Sequence, residues 1–299
     1  MIKSIYLKTK QFIQTLVSHY SQGDVSDSAA VLAFYSLMSI FPILFIGGSI
    51  LNLFHIHTGD IMEYVRPIFP DRIYVMLEPV IDSTLRSGGT SQLSIGLIVT
   101  IWSASRAIAA FQRSINKTYG VAEDQTAISN RILSFLWMLL LIVVVVAVMI
   151  AFALSQFVFS WLSPILHIPQ SIISFVSTVK WPSTMILVWL LLSVLFYIVP
   201  TAKVKFRYVW FGALFTTLGL MVLAQAFSIY VTFFAHRVDA YKTIGTFIVL
   251  MFWLDFSGLI MLLGGVINAT IQELRMGKIQ EQTDAIESVL RRATKRKRK

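Results

Sequence analysis

Long apolar runs separated by short polar turns set the pattern of this chain. Residues 28–59 contain no charge, and a first membrane span is predicted over 29–54. Ala29, Ala33, Ser36 and Ser39 recur at steps of three and four. Small side chains therefore share one face, as in membrane helices that approach closely. Pro42 is predicted to kink this helix, with a structural role favoured over the shaping of a cavity. The second span is read over 93–111, where Gly96, Thr100, Ser103, Arg106 and Ala110 form one small and polar stripe. Further spans are predicted over 132–159, 181–200, 208–234 and 244–271, with 171–179 as a short lead-in helix at the outer interface.

The segments between the spans are polar. Residues 1–22 mix Lys3, Lys8 and Lys10 with Ile5, Leu7, Phe12, Ile13, Leu16 and Val17. That is the pattern of an amphipathic helix, lying on the membrane surface or packed on the protein's own cytoplasmic side. Gly23 and Asp24 break it, and Asp24 or Ser26 caps the next helix. Residues 60–92 form the one long outer connection, expected to hold short interfacial helices. Residues 112–131 read as a polar connection. Lys203, Lys205 and Arg207 make a basic turn, and 272–299 reads as a cytoplasmic helix or tail. The fold class is thus all-α: a polytopic membrane bundle of six spans with both termini cytoplasmic and amphipathic helices at the interface. The segment 1–28 precedes a membrane domain over 29–271, and the basic tail 272–299 follows it.

Composition agrees. Of 299 residues, 56% are hydrophobic and only 13% charged, and mean hydropathy is +0.74. Soluble domains carry about a quarter charged residues, so too little polar surface is present to cover a water-soluble particle. The absence of cysteine excludes disulfides and thiolate chemistry. With the N-terminus inside, eighteen basic residues fall in cytoplasmic segments and six in outer ones, which fits the positive-inside rule. This asymmetry accounts for most of the net charge of +10. No cleavable signal peptide is expected.

Two charges sit deep in apolar runs, Arg106 and Asp255. A charge at bilayer depth costs about 2.5–3.5 kcal/mol even on lenient scales, so it finds a partner or a wet cavity. From the outer boundaries, Arg106 lies about 20 Å deep and Asp255 about 17 Å. The two reach similar depth, on helices of opposite sense. Arg106 is expected to face the bundle centre near Asp255, either as a neutralised pair that fixes packing or as a gate or anionic-headgroup site. The five histidines are scattered, and His55 with His57 reads as a loop pair rather than a metal site. No phosphate-binding loop, dinucleotide fingerprint or His-Glu metal motif occurs. The run Lys295, Arg296, Lys297, Arg298 and Lys299 is expected to contact anionic lipid rather than nucleic acid.

Several pieces together resemble the YihY / virulence factor BrkB family of bacterial inner-membrane proteins. They are the Ala-Phe-Tyr-Ser-Leu-Met-Ser-Ile-Phe-Pro run at 33–42, Trp-Ser-Ala-Ser-Arg at 102–106 and Asn-Lys-Thr-Tyr-Gly at 116–120. Tyr-Ile-Val-Pro at 197–200, Gly-Ala-Leu at 212–214, Tyr230 with Val231, and Leu-Gly-Gly-Val-Ile-Asn-Ala at 263–269 complete them. The resemblance implies a six-span fold, a bacterial plasma-membrane location and a link to the cell envelope. Many relatives carry Glu where Val266 stands here, so a mechanism needing that carboxylate does not transfer. The family's former label as a tRNA-processing ribonuclease is regarded as mistaken, and the sequence offers no acid–base or metal constellation for phosphodiester cleavage. No catalytic residue, metal or cofactor is assigned, and the protein is read as a non-enzyme.

The favoured expectation is a transporter or flippase-like protein for an anionic lipid or envelope precursor. Arg106 would attract the headgroup, while Asp255, Ser39, Asn116 and Asn268 shape the path. No ATP-binding motif is present, so movement is passive or ion-coupled. The alternative is a non-transporting scaffold that recruits partners through the outer segment and the basic tail. Expected partners are membrane lipids, with no nucleic acid, and a homo-oligomer is left open.

Overall fold

A computed structural model describes residues 2–53, 74–75, 78–79, 81–83, 90–121, 170–234 and 242–279. Among these residues every regular element is a helix. The long ones are α1 (Ile2–Gln22), α2 (Val25–Leu53), α3 (Thr90–Thr118), α4 (Gln170–Ile198), α5 (Phe206–Phe234) and α6 (Lys242–Met276). A 29-residue helix such as α5 is about 44 Å long at the helical rise, more than the roughly 30 Å hydrocarbon core of a bilayer. Within α5 and α6, Phe206–Tyr230 and Phe247–Met276 are long and apolar enough to cross a membrane. Shorter apolar stretches, Val25–Ile40 and Met185–Ile198, lie in α2 and α4.

Local chemistry sets the helix ends. Asp24 takes a φ of 44° and its carbonyl accepts the Ser28 amide at 2.8 Å, so α2 starts directly after the Gly23 turn. At the other end of the neighbouring helix, Gly120 takes a φ of 66°. Its amide donates to the Lys117 carbonyl, and the Val121 amide donates to that of Asn116. This double closure, with glycine in the left-handed region, satisfies the orphan carbonyls of α3. Gly277, at φ 80°, ends α6 by donating to the Glu273 carbonyl at 2.8 Å.

α2 packs against α3 and α6, α6 against α5, and α5 against α4, while α1 lies mainly against α6. The principal core gathers Val25 and Ala29 of α2, Phe111 and Ile115 of α3, Phe196 of α4, Ala213 of α5, and Leu262 and Val266 of α6. The end of α3, the α4–α5 turn and the end of α6 meet at one end of the bundle. That end, the basic end, carries Lys117, Lys203, Lys205, Arg207, Arg275 and Lys278. At the opposite end, Tyr74 and Ile81 from the connection before α3 pack on Phe227 and Leu250. α5 and α6 cross through Gly212 and Gly264. A Cβ on Gly212 would collide with the Gly264 carbonyl oxygen and with Asn268, and one on Gly264 would collide with Thr216. Backbone thus lies against backbone, as small residues permit.

Three expectations need correction. α3 continues to Thr118, so 112–118 is helix rather than polar connection. Ser114, Ile115 and Thr118 are buried on its inner face, and burial holds these last turns helical. Second, the lead-in helix and the fourth span are one helix, α4, which runs through Pro182. Proline removes one ladder donor, but apolar surroundings and neighbouring helices let the rest persist. Third, α3 and α6 run in the same sense, since both end at the basic end and Gly265 faces Ile115. α2 likewise passes Pro42 as helix. The predicted third span over 132–159, most of the outer connection 60–92, and the tail residues 295–299 lie outside the described residues.

Candidate functional site

The basic end is built by side-chain amides that reach into the α4–α5 turn. This turn follows Pro200 and leaves backbone groups with no helical partner. Gln112 of α3 donates to the Val199 carbonyl at 3.3 Å, and Asn116 accepts the Thr201 amide at 2.9 Å. Gln272 of α6 accepts the Lys205 amide at 3.0 Å and donates to the Lys203 carbonyl at 2.9 Å. Three residues on two helices thereby fix one turn. Each such bond contributes about 0.5–1.5 kcal/mol net, and a buried group left without one costs about 1–3 kcal/mol.

The junction of α1 and α2 docks beside them. Ser28 and Ser114 both donate to the Gly23 carbonyl, at 3.3 and 3.2 Å. Lys117 meets Asp24 at 3.1 Å, but both side chains are partly open to solvent, so this pair contributes about 0–1 kcal/mol. Buried His19 brings Nε2 to 2.7 Å from Glu273 on α6, close in distance though not aligned as a hydrogen bond. Tyr119 is wholly enclosed, and burial pushes its phenol well above the usual range. Its hydroxyl has no hydrogen-bond partner among the described residues.

Among the residues singled out in the sequence, three are helix-packing groups. Ser39 is buried and donates to the Tyr35 carbonyl of its own helix at 2.7 Å. Asn116 holds the α4–α5 turn as above. Asn268 is buried and accepts the Gly212 amide at 2.7 Å, directly at the α5–α6 crossing, while its Nδ2 lacks a partner among the described residues. Val266 is fully enclosed in the core. Gln112 and Gln272 act here without having been assigned to a site. Their partners are backbone atoms more than sixty residues away, which residue spacing does not reveal.

The two deep charges remain. Registering α3 on α6 through Ile115 and Gly265 puts Arg106 level with Phe256, next to Asp255. Depth therefore matches. Direction does not: Arg106 precedes Ile115 by nine residues, about two and a half turns, so it points away from α6. The exposed side of α3 carries Val99, Trp102, Arg106 and Arg113. The Arg106 guanidinium lies 5.8 Å from the centre of the Trp102 ring. Among the described residues no carboxylate is in ion-pair reach of it, and Asp255 is half-buried without a salt bridge.

A helical bundle with apolar spans and this motif order matches a model of the virulence factor BrkB family over residues 16–287. The chain belongs to that family. A relative in Bacillus subtilis (strain 168), named as the ribonuclease-like protein YfkH, is 28% identical over 262 residues, which are 88% of this chain and 95% of the relative. The UPF0761 membrane protein NTHI0384 of Haemophilus influenzae (strain 86-028NP) is 21% identical over 273 residues, covering 90% of this chain and 97% of its own. A UPF0761 membrane protein of Legionella pneumophila, lpg0643, is 24% identical over 274 residues, 89% of this chain and 63% of its own. No solved structure matches. BrkB-family membership and the apolar helices make this a membrane protein. Among its described residues no group of three His, Cys, Asp or Glu could hold a metal ion.

Proposed function

We propose that this protein is a six-span protein of the bacterial inner membrane that passes an anionic lipid or envelope precursor, with Arg106 drawing the headgroup. Both termini and the basic end face the cytoplasm in this reading, as the distribution of Lys and Arg favours. The supporting observation is the state of Arg106. A neutralised Arg106–Asp255 pair would be the purely architectural outcome, and no such pair forms among the described residues. A cation–π contact with Trp102 holds the guanidinium without cancelling its charge. An arginine kept cationic at membrane depth suits a phosphate or carboxylate, which its planar fork binds bidentately.

The test is reconstitution in liposomes with fluorescent phosphatidylglycerol and phosphatidylcholine. Anionic lipid should cross faster than in empty vesicles. Arg106→Gln should slow this about tenfold or more, the loss of one charged hydrogen-bonding contact of about 1.5–3 kcal/mol. Arg106→Lys should restore part of the rate. Translocation no faster than in empty liposomes for every envelope lipid class removes the proposal. The scaffold alternative rests on the outer segment 60–92 and the basic tail, most of whose residues lie outside the described ones. Removal of 280–299 separates the two readings, since a scaffold loses function and a transporter keeps it.

A further inference from the structure

An aromatic groove lies along the exposed side of α4 and α5. It measures about 550 Å³ and is lined by Trp189, Phe206, Arg207, Trp210, Phe211 and Leu214. Its wall is a chain of edge-to-face rings. Tyr197 meets Phe206 at 5.5 Å, Phe206 meets Trp210 at 5.6 Å, and Trp210 meets Trp189 at 5.0 Å, each near a right angle. The Trp189 indole also donates to the Trp210 carbonyl at 3.1 Å. Such interlocked rings have little freedom to collapse into the space beside them, so the groove is preformed.

Its polarity runs along the helix axis. Arg207 stands at the basic end, in the turn that also carries Lys203 and Lys205. Arg207, Phe211 and Leu214 follow one another at i, i+4 and i+7, so they share a face. Leu214 lies about 10 Å deeper than Arg207. Arg207 rests 6.0 Å from the Tyr208 ring, and no carboxylate among the described residues pairs with it. A cation at the mouth, tryptophans at the level of the interface and an apolar trough below match the order of a phospholipid: phosphate, glycerol, acyl chain.

We propose that this groove is a binding site for one anionic phospholipid of the leaflet at the basic end. Arg207 binds the phosphate, and one acyl chain lies against Trp189, Trp210 and Leu214. The experiment is native mass spectrometry of the full-length protein in detergent, with phosphatidylglycerol or phosphatidylcholine of identical chains added. Phosphatidylglycerol should be retained several-fold more than phosphatidylcholine. Arg207→Gln should abolish that preference, and Arg207→Lys should keep part of it. Leu214→Trp, which fills the trough and leaves every charge in place, should lower retention of both lipids. Circular dichroism melting should be unchanged in all three variants, whose side chains are exposed. A preference that survives Arg207→Gln overturns the proposal. So does retention that ignores Leu214→Trp, which means surface charge alone, or displacement of the lipid by inorganic phosphate, which means a free-anion site. Retention rather than translocation is measured, so failure here leaves the role of Arg106 standing.

Discussion

Ser103 and Arg106 stand three positions apart on α3, one fully buried and the other exposed. Three residues rotate a helix to within about 60° of a full turn, so the edge of the packed face falls between them. A stripe of small and polar residues in a sequence marks the neighbourhood of that edge and not its position. For this reason depth was legible for Arg106 and Asp255 while direction was not. Gln272 illustrates a different gap. It is buried and completes two bonds to the α4–α5 turn. Gln272→Ala should lower stability by about 1–3 kcal/mol, read as a fall in the midpoint of thermal unfolding in detergent. Tyr119 gives the opposite expectation. Its hydroxyl is buried without a partner among the described residues, so Tyr119→Phe should be neutral or stabilising at neutral pH. Its folded pKa lies above the ordinary value of 10.0. The stabilisation from keeping the phenol protonated is therefore complete below about pH 10 and is lost as pH rises beyond it. Unfolding curves taken across alkaline pH should show a steeper loss in the parent than in Tyr119→Phe.

Among the elements, α1 shows how far patterning reaches. The mixture of lysines and apolar residues indicated an amphipathic helix, and its packed side proves to be Leu16, His19 and Tyr20. A second stripe, Tyr6, Lys10, Ile13 and Val17, follows i, i+4, i+7 and i+11 and is exposed. The C-terminal end of α1 is pinned to Glu273 at the basic end, where the apolar part of α6 stops. An exposed apolar stripe at that height fits the headgroup–acyl boundary. The chain has no cysteine, so single-cysteine spin labels can be placed without a background. Labels at positions 13 and 17 should be reached by oxygen, and labels at 11, 14 and 18 by a water-soluble nickel complex. Uniform access to nickel along α1 would sink the assignment to the membrane surface. α4 marks where reading by element failed. The short serine-rich run 171–179 read as a lead-in helix apart from the span over 181–200, whereas one helix continues through both and through Pro182. Proline is a weak stop where neighbouring helices and apolar surroundings maintain the ladder.

In the molecule as a whole, hydropathy carried the fold class because membrane burial imposes it on every span. The order of helices around the core was not legible. It depends on contacts such as Gly212 against Gly264 and Ile115 against Gly265, which join residues distant in sequence. Directed bonds from Gln112, Asn116 and Gln272 clamp the basic end. They tie α3 and α6 to the same turn between α4 and α5, so a tug on any one of these four helices is felt there by the other three. Paired labels at 205 and 278 should therefore report one narrow distance that broadens in Gln272→Ala, and an unchanged width would rule the shared anchor out.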